Sequence, residues 1–261
     1  MTTAGPAFTT RISSVAPGHI TIRGTAIDDL IGTVTSTEAA CLVIKGSRPS
    51  VRERRMIDAI FASAADHGFV ATCTAATRYA ASGSGSIPAA VAAGILGIGS
   101  STAVPHVVAG LLMSLTCGQS PKDVSDDQID AVLRDFRDRG QRVPGIGHPV
   151  HRAGDPRTDA LRRVAKENDC YDGNVALMDR VVDRFAVMTG RELPQNVDGI
   201  LAAVLLDFDW TPDQIFGLTI LILTPSLVAH AIEEIDQGNV MRIIPADQVR
   251  YDDADDAAAT S

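Results

Sequence analysis

Apolar residues recur at steps of three and four through most of the chain, and strict alternation is confined to one short stretch. Val175, Met178, Val181, Val182 and Phe185 trace one helical stripe, which Gly190 stops. Ser36 to Ile44 reads as a helix closed by Gly46, with Pro49 just beyond. Ser50-Val-Arg-Glu53 and Ser125-Asp-Asp-Gln128 are capping boxes, the first opening a helix toward Asp66 and the second one toward Gly140. Ile87 to Gly99 is rich in Ala and Gly and reads as a packed interior helix, with Ser82-Gly-Ser-Gly-Ser as the connection before it. Thr158 to Asn168 gives a short amphipathic helix, Ile200 opens another, and Thr211-Pro starts one more. Leu227 to Glu234 continues the series and ends near Gly238. Only His19-Ile-Thr-Ile-Arg23 alternates like a strand, ended by Gly24. Both termini, 1–18 and 251–261, are small or acidic and read as ill-ordered. The pattern predicts an all-α fold.

Composition narrows the class. A chain of 261 residues, 45% hydrophobic but only 4% aromatic, suits packed helices with a sizeable core. A net charge of −9 argues against a nucleic-acid or anionic-membrane surface. The longest apolar run, Ile215 to Ile232, is interrupted by Thr219, Thr224, Pro225, Ser226 and His230, which fits a core helix better than a membrane span. Cys41, Cys73, Cys117 and Cys170 are too scattered for a zinc knuckle or disulfide scaffold. With no apolar signal core at the N-terminus, the expected location is the cytoplasm, and no metal site is predicted.

The stretch that carries chemistry is Pro144 to Arg157, with three prolines, three glycines, two histidines and two arginines. No continuous helix or strand can run through it. Arg152 and Arg157 suit an anionic ligand, and His148 can exchange a proton near neutral pH. The plainer alternative is a stiff turn with solvated arginines. Asp198, after Asn196-Val197, opens an apolar run and could equally be an ordinary N-cap. His67 could simply interact with a helix terminus, and His106 could be a satisfied core histidine.

Gly-Ile-Gly-His-x-Val-x-Arg-x-x-Asp-Pro-Arg at 145–157 resembles the motif of the citrate synthase family, in the form seen in citryl-CoA lyases. Asn196-Val-Asp198, the Asp66-His67 pair and the Ala229-His230 helix fall in matching order. The resemblance implies a citrate synthase-like fold with a large helical domain (19–109 and 199–250) and a small one (110–198). It also implies a homodimer or higher homo-oligomer with shared sites. The implied chemistry makes or breaks a carbon–carbon bond beside a CoA thioester, with acyl-CoA and a 2-oxo acid as small-molecule substrates and no other cofactor. On that footing Asp198 and His148 are the catalytic pair and His106 the enolate donor. Counting without gaps from Asp66 puts Thr102 in that last place instead. His67 and Arg157 would hold substrate carboxylates, and Gly145, Ile146, Gly147 and Arg152 would hold CoA. His151 has no implied role.

The chain departs from the family in two places. Where an arginine precedes the Ala-His helix, this chain has Leu223-Thr-Pro-Ser226. A later Arg-Pro is replaced by Ile244-Pro245, with Arg242 near enough to substitute. The implied activity is citryl-CoA lyase-like. A Claisen-type synthase using another 2-oxo acid and a silent acyl-CoA-binding subunit are the alternatives.

Overall fold

A computed structural model describes residues 7–99 and 103–250, and helices dominate them. A small antiparallel sheet comes first: β1 (Ser13–Ala16), β2 (His19–Ile22) and β3 (Thr25–Ala26), in that spatial order. Residues 13–16 were predicted to be ill-ordered. They instead pair with β2, Ser13 opposite Ile22 and Ala16 opposite His19, across a turn in which Gly18 takes φ +72°. Pro17-Gly18 is the turn signal that the weak alternation of β1 conceals.

Eleven α-helices follow among the described residues. They are α1 (Ile27–Leu30), α2 (Ser36–Ile44), α3 (Val51–Ser63), α4 (Thr72–Ser84), α5 (Ile87–Leu96) and α6 (Pro105–Thr116). Then come α7 (Asp126–Asp138), α8 (Pro156–Glu167), α9 (Asn174–Thr189), α10 (Val197–Asp207) and α11 (Pro212–Asp236). The fold is all-α apart from the small sheet. Both capping boxes form as read, Ser50 with Glu53 and Ser125 with Gln128. Gly190 ends α9 at φ +65°.

Contacts divide the chain into two compact units. The first takes the described residues up to Asp66 and from Gly99 to Leu223. Its centre is α10, which packs against α6, α8 and α9 and buries Ile200 to Leu205 almost completely. Val108, Leu112, Met178 and Ile215 share that core, each contributing roughly 1.5–3 kcal/mol by leaving water. The second unit takes His67–Ile98 and the described residues from Thr224 onward. It is built on the α4–α5 pair, with Ala81, Ala90 and Ala231 at its core. The predicted boundaries at 109/110 and 198/199 fall inside α6 and α10.

Helix α11 runs unbroken through Pro225, where two successive segments were predicted. Its length and apolar composition would suffice to cross a membrane. Much of its apolar face is instead buried in the protein's own packing, as at Ile215, Leu218, Ile222 and Leu227.

Candidate active site

The signature loop is laced to the start of α10, fifty residues further along the chain. Gly147 donates its N–H to the Pro194 carbonyl at 2.8 Å, and Asn196 donates its own to the Gly145 carbonyl at 3.0 Å. Ile146 bridges to Gln195, and the Asn196 side-chain amide donates to the Gly147 carbonyl at 2.9 Å. The two backbones meet at glycines. A Cβ on Gly145 would lie 3.2 Å from the Gly199 Cα and 2.8 Å from Met178 Cε, and Gly145 takes φ +84°. This glycine is therefore required by internal packing against α10. Ile146 is half-buried against the same core.

His148 emerges from this lacing half-buried. Its Nδ1 accepts the backbone N–H of His151 at 3.0 Å and of Val150 at 3.2 Å. Nδ1, facing two N–H donors, carries a lone pair; Nε2 faces the Arg157 guanidinium, itself a donor, so a ring proton on Nε2 is an assignment made on the Nδ1 bonds. Nε2 lies 3.3 Å from Nη2 of Arg157. Burial, then the Arg157 charge, then His151, push the His148 pKa below its ordinary 6.5. The ring is uncharged at neutral pH.

Arg157 is held by a residue that the sequence reading passed over. Asp155 caps α8 by accepting the Arg157 backbone N–H at 3.0 Å. It also takes Nε at 2.9 Å and Nη2 at 2.7 Å in a bidentate pair. The Asp155 side chain is fully buried. Burial pushes its pKa up, but the Arg157 hydrogen bonds and charge outweigh that and leave it below 3.8. Arg157 thus brings its guanidinium to His148 with one edge already committed.

Asp198 does not cap its own helix. Asn196 does, accepting the Gly199 N–H at 3.1 Å, so the N-cap alternative fails. Asp198 Oδ2 instead accepts the Val104 N–H at 3.2 Å, at the start of α6. The residue is half-buried by surface area, yet its carboxylate is packed deeply enough that burial raises its pKa above 3.8, against the opposing Val104 bond and Arg157 charge. His148, Arg157, Asp155 and Asp198 form one electrostatic cluster.

The remaining predicted residues are placed as follows. His106, in the first turn of α6, packs its ring on Phe216 with centroids 4.3 Å apart, and burial lowers its pKa. Its Nδ1 is buried without a hydrogen-bond partner. Thr102 lies outside the described residues. Arg152 is exposed. His67 and Arg242 belong to the second unit. His67 is half-buried at the start of a 3-10 turn. Arg242 grips the fully buried Glu234 through Nε and through Nη2 at 2.9 Å, and Arg78 contacts the same carboxylate at 2.9 Å. That pairing commits one edge of the Arg242 guanidinium, as Asp155 commits one edge of Arg157.

Asp155, Gln195 and Asn196 are the missed residues. Asp-Pro at a helix start was a legible signal for the first. Gln195 accepts from Arg162 at 2.8 Å. A cavity of roughly 420 Å³ opens beside Asp155 and Gln195, and its further acids Asp159, Asp179 and Asp183 outnumber Arg162, a poor lining for an anion. No group of three or more His, Cys, Asp or Glu that could hold a metal occurs among the described residues.

Fold and cluster together define an all-helical protein with an imidazole, a guanidinium and a carboxylate gathered where one loop meets one helix start. The family model for the citrate synthase C-terminal domain matches residues 45–244. The chain belongs to the citrate synthase family. Citryl-CoA lyase from Hydrogenobacter thermophilus superposes with a TM-score of 0.84 at 27% identity, covering 95% of this chain and 96% of that one. The fold is shared with ATP citrate lyase from Methanothrix soehngenii, at TM-score 0.79 and 18% identity over 95% of this chain and 42% of that one. A Mycobacterium tuberculosis protein, provisionally named citrate synthase 2, is 30% identical over 201 residues, 74% of this chain. This chain spans about half (51%) of the length of that curated relative.

Proposed function

We propose that the protein cleaves or forms a carbon–carbon bond beside a CoA thioester, as a citryl-CoA lyase converting citryl-CoA to acetyl-CoA and oxaloacetate. The observation that carries the reading is the lacing of Gly145–Gly147 onto the Asn196–Asp198 turn, which sets His148, Arg157 and Asp198 in one cluster. In the condensing direction Asp198 takes an α-proton from the acyl-CoA. His148 gives its Nε2 proton to the ketone oxygen of the acceptor. The two N–H groups on Nδ1 and the Arg157 cation stabilise the electron density left on the ring. In the lyase direction the steps run backwards from the protonation state that condensation leaves, Nε2 without its proton and Asp198 protonated: the hydroxyl proton moves to Nε2, and Asp198 gives its proton to the acetyl carbon. Arg157 pairs with a substrate carboxylate and Arg152 with a CoA phosphate. His106 or Thr102 supplies the enolate donor.

The likeness in length and fold to the Hydrogenobacter citryl-CoA lyase supports the lyase branch. A second reading, condensation with a 2-oxo acid bearing fewer carboxylates, is favoured by the family arginine site, where Leu223 is buried. We also place the protein in the cytoplasm as a homodimer or higher homo-oligomer, a state that sedimentation analysis measures. The deciding experiment supplies citryl-CoA and follows oxaloacetate by NADH loss with malate dehydrogenase. No turnover would sink the citryl-CoA assignment, turnover of another acyl-CoA would favour the second reading, and CoA binding alone would mark a silent subunit.

A further inference from the structure

His151 lies outside the roles given above, yet it touches His148 twice. Its backbone N–H is the shorter of the two donors on Nδ1, at 3.0 Å. Its ring stands 4.6 Å from the His148 ring, centroid to centroid, at an interplanar angle of 33°. That separation falls in the range of attractive aromatic stacking. His151 is half-buried, while its neighbours Val150 and Arg152 are exposed. We infer that His151 is a positioning residue for the proposed reaction, its ring holding the His148 imidazole in one plane so that Nε2 meets the substrate oxygen. The inference rests on reading His148 as the proton-handling group.

The alternative origin of the His148 orientation is its polar contacts alone. Two hydrogen bonds at Nδ1 and the Arg157 contact at Nε2 hold the ring along an axis through its two nitrogens, and a stacked neighbour opposes rotation about that axis. His151 also adds to the electrostatics. The charges that act on His148 include the Arg157 guanidinium, the Asp155 carboxylate behind it, and His151. Arg157 and His151 both oppose a second proton on His148, and Asp155 favours one.

The test compares His151→Ala, which removes the ring, with His151→Phe, which keeps the stack without a titrating nitrogen. Removing the ring lowers kcat about tenfold or more, the scale on which a misplaced catalytic group costs rate, while KM for the acyl-CoA changes by less than about threefold. The Phe variant recovers most of kcat. Nuclear magnetic resonance titration of the His148 ring protons reads the same contact without any substrate, and the His148 midpoint rises in the Ala variant. Unchanged kcat and an unmoved midpoint in His151→Ala overturn the inference, as does a Phe variant no better than Ala. Should the Ala chain fail to fold, His151→Leu replaces it under the same criteria. If the wild-type protein turns over no acyl-CoA, the functional reading fails, and the titration still decides the role of His151.

Discussion

Val104 donates its backbone N–H to Asp198 Oδ2 at 3.2 Å, so the carboxylate proposed for proton transfer also closes the N-terminus of the helix that carries His106. The two roles separate by substitution. In Asp198→Asn the amide oxygen can keep the Val104 bond and a buried charge is removed, so the melting temperature holds. Activity falls about 10²–10⁴-fold. In Asp198→Ala the Val104 N–H loses its partner as well, which costs about 1–3 kcal/mol. Equal melting temperatures for the two variants would show that the Val104 bond carries no stability.

The pH profile follows from two displaced groups. Condensation requires Asp198 ionised and His148 uncharged. Burial lifts Asp198 above 3.8, and burial with the Arg157 charge brings His148 below 6.5. A limb set by Asp198 therefore lies above the ordinary carboxylate value, and one set by His148 lies below 6.5. Wash-out of deuterium from labelled acetyl-CoA, in the presence of the 2-oxo acid, reports them. An acid limb centred above 6.5 would assign it to Asp198 rather than to His148.

Asp155→Asn leaves Arg157 without its buried carboxylate and should cost about 3 kcal/mol in urea unfolding at pH 7. The wild-type pair has a pH signature of its own. Because the folded Asp155 pKa is depressed, its contribution is fully present above 3.8 and lost as pH falls through the lower folded value. The gap between wild type and variant therefore closes in strong acid. A gap independent of pH would assign the loss to the helix cap.

Gly145→Ala should be far worse than Gly118→Ala. Both glycines have left-handed backbones, φ +84° and +85°, so each variant bears roughly 1–2 kcal/mol of strain. Only at Gly145 does the new methyl also meet Met178 and the Gly199 backbone; at Gly118 nothing lies within 4 Å. Overpacking adds about 1–3 kcal/mol there. Matched thermal melts would contradict the packing account.

Arg242→Ala tests a division between substrate binding and structure. With Glu234 fully buried and gripped by Arg242 and Arg78, the variant should melt at a lower temperature. KM for the 2-oxo acid should be unchanged in the folded fraction. A raised KM with an unshifted melt would restore the substrate role.

What could be read in the chain was local. The Ser50 and Ser125 boxes and the Gly190 stop each depend on residues within one turn, and each formed as read. Asp198 and His148 were legible only through the family motifs, since neither periodicity nor charge distinguishes Asp198 from a cap. Contacts spanning some fifty residues stayed hidden. Nothing in Gly145 announces Gly199, and nothing in Arg242 announces a buried Glu234. Pro225 misled in the other direction: proline ends most helices, but the carbonyl it frees is that of Leu221, which is exposed, and α11 continues.

The glycine-to-glycine contact between 145 and 199 also governs what can be exchanged with relatives. A side chain added on either strand of that seam lands on the other's backbone, so the two segments can change only in concert. Grafting the 144–157 loop from another member of the family, to alter acyl-CoA preference, will therefore require residues 194–199 from the same donor. A loop moved alone would arrive without its mate.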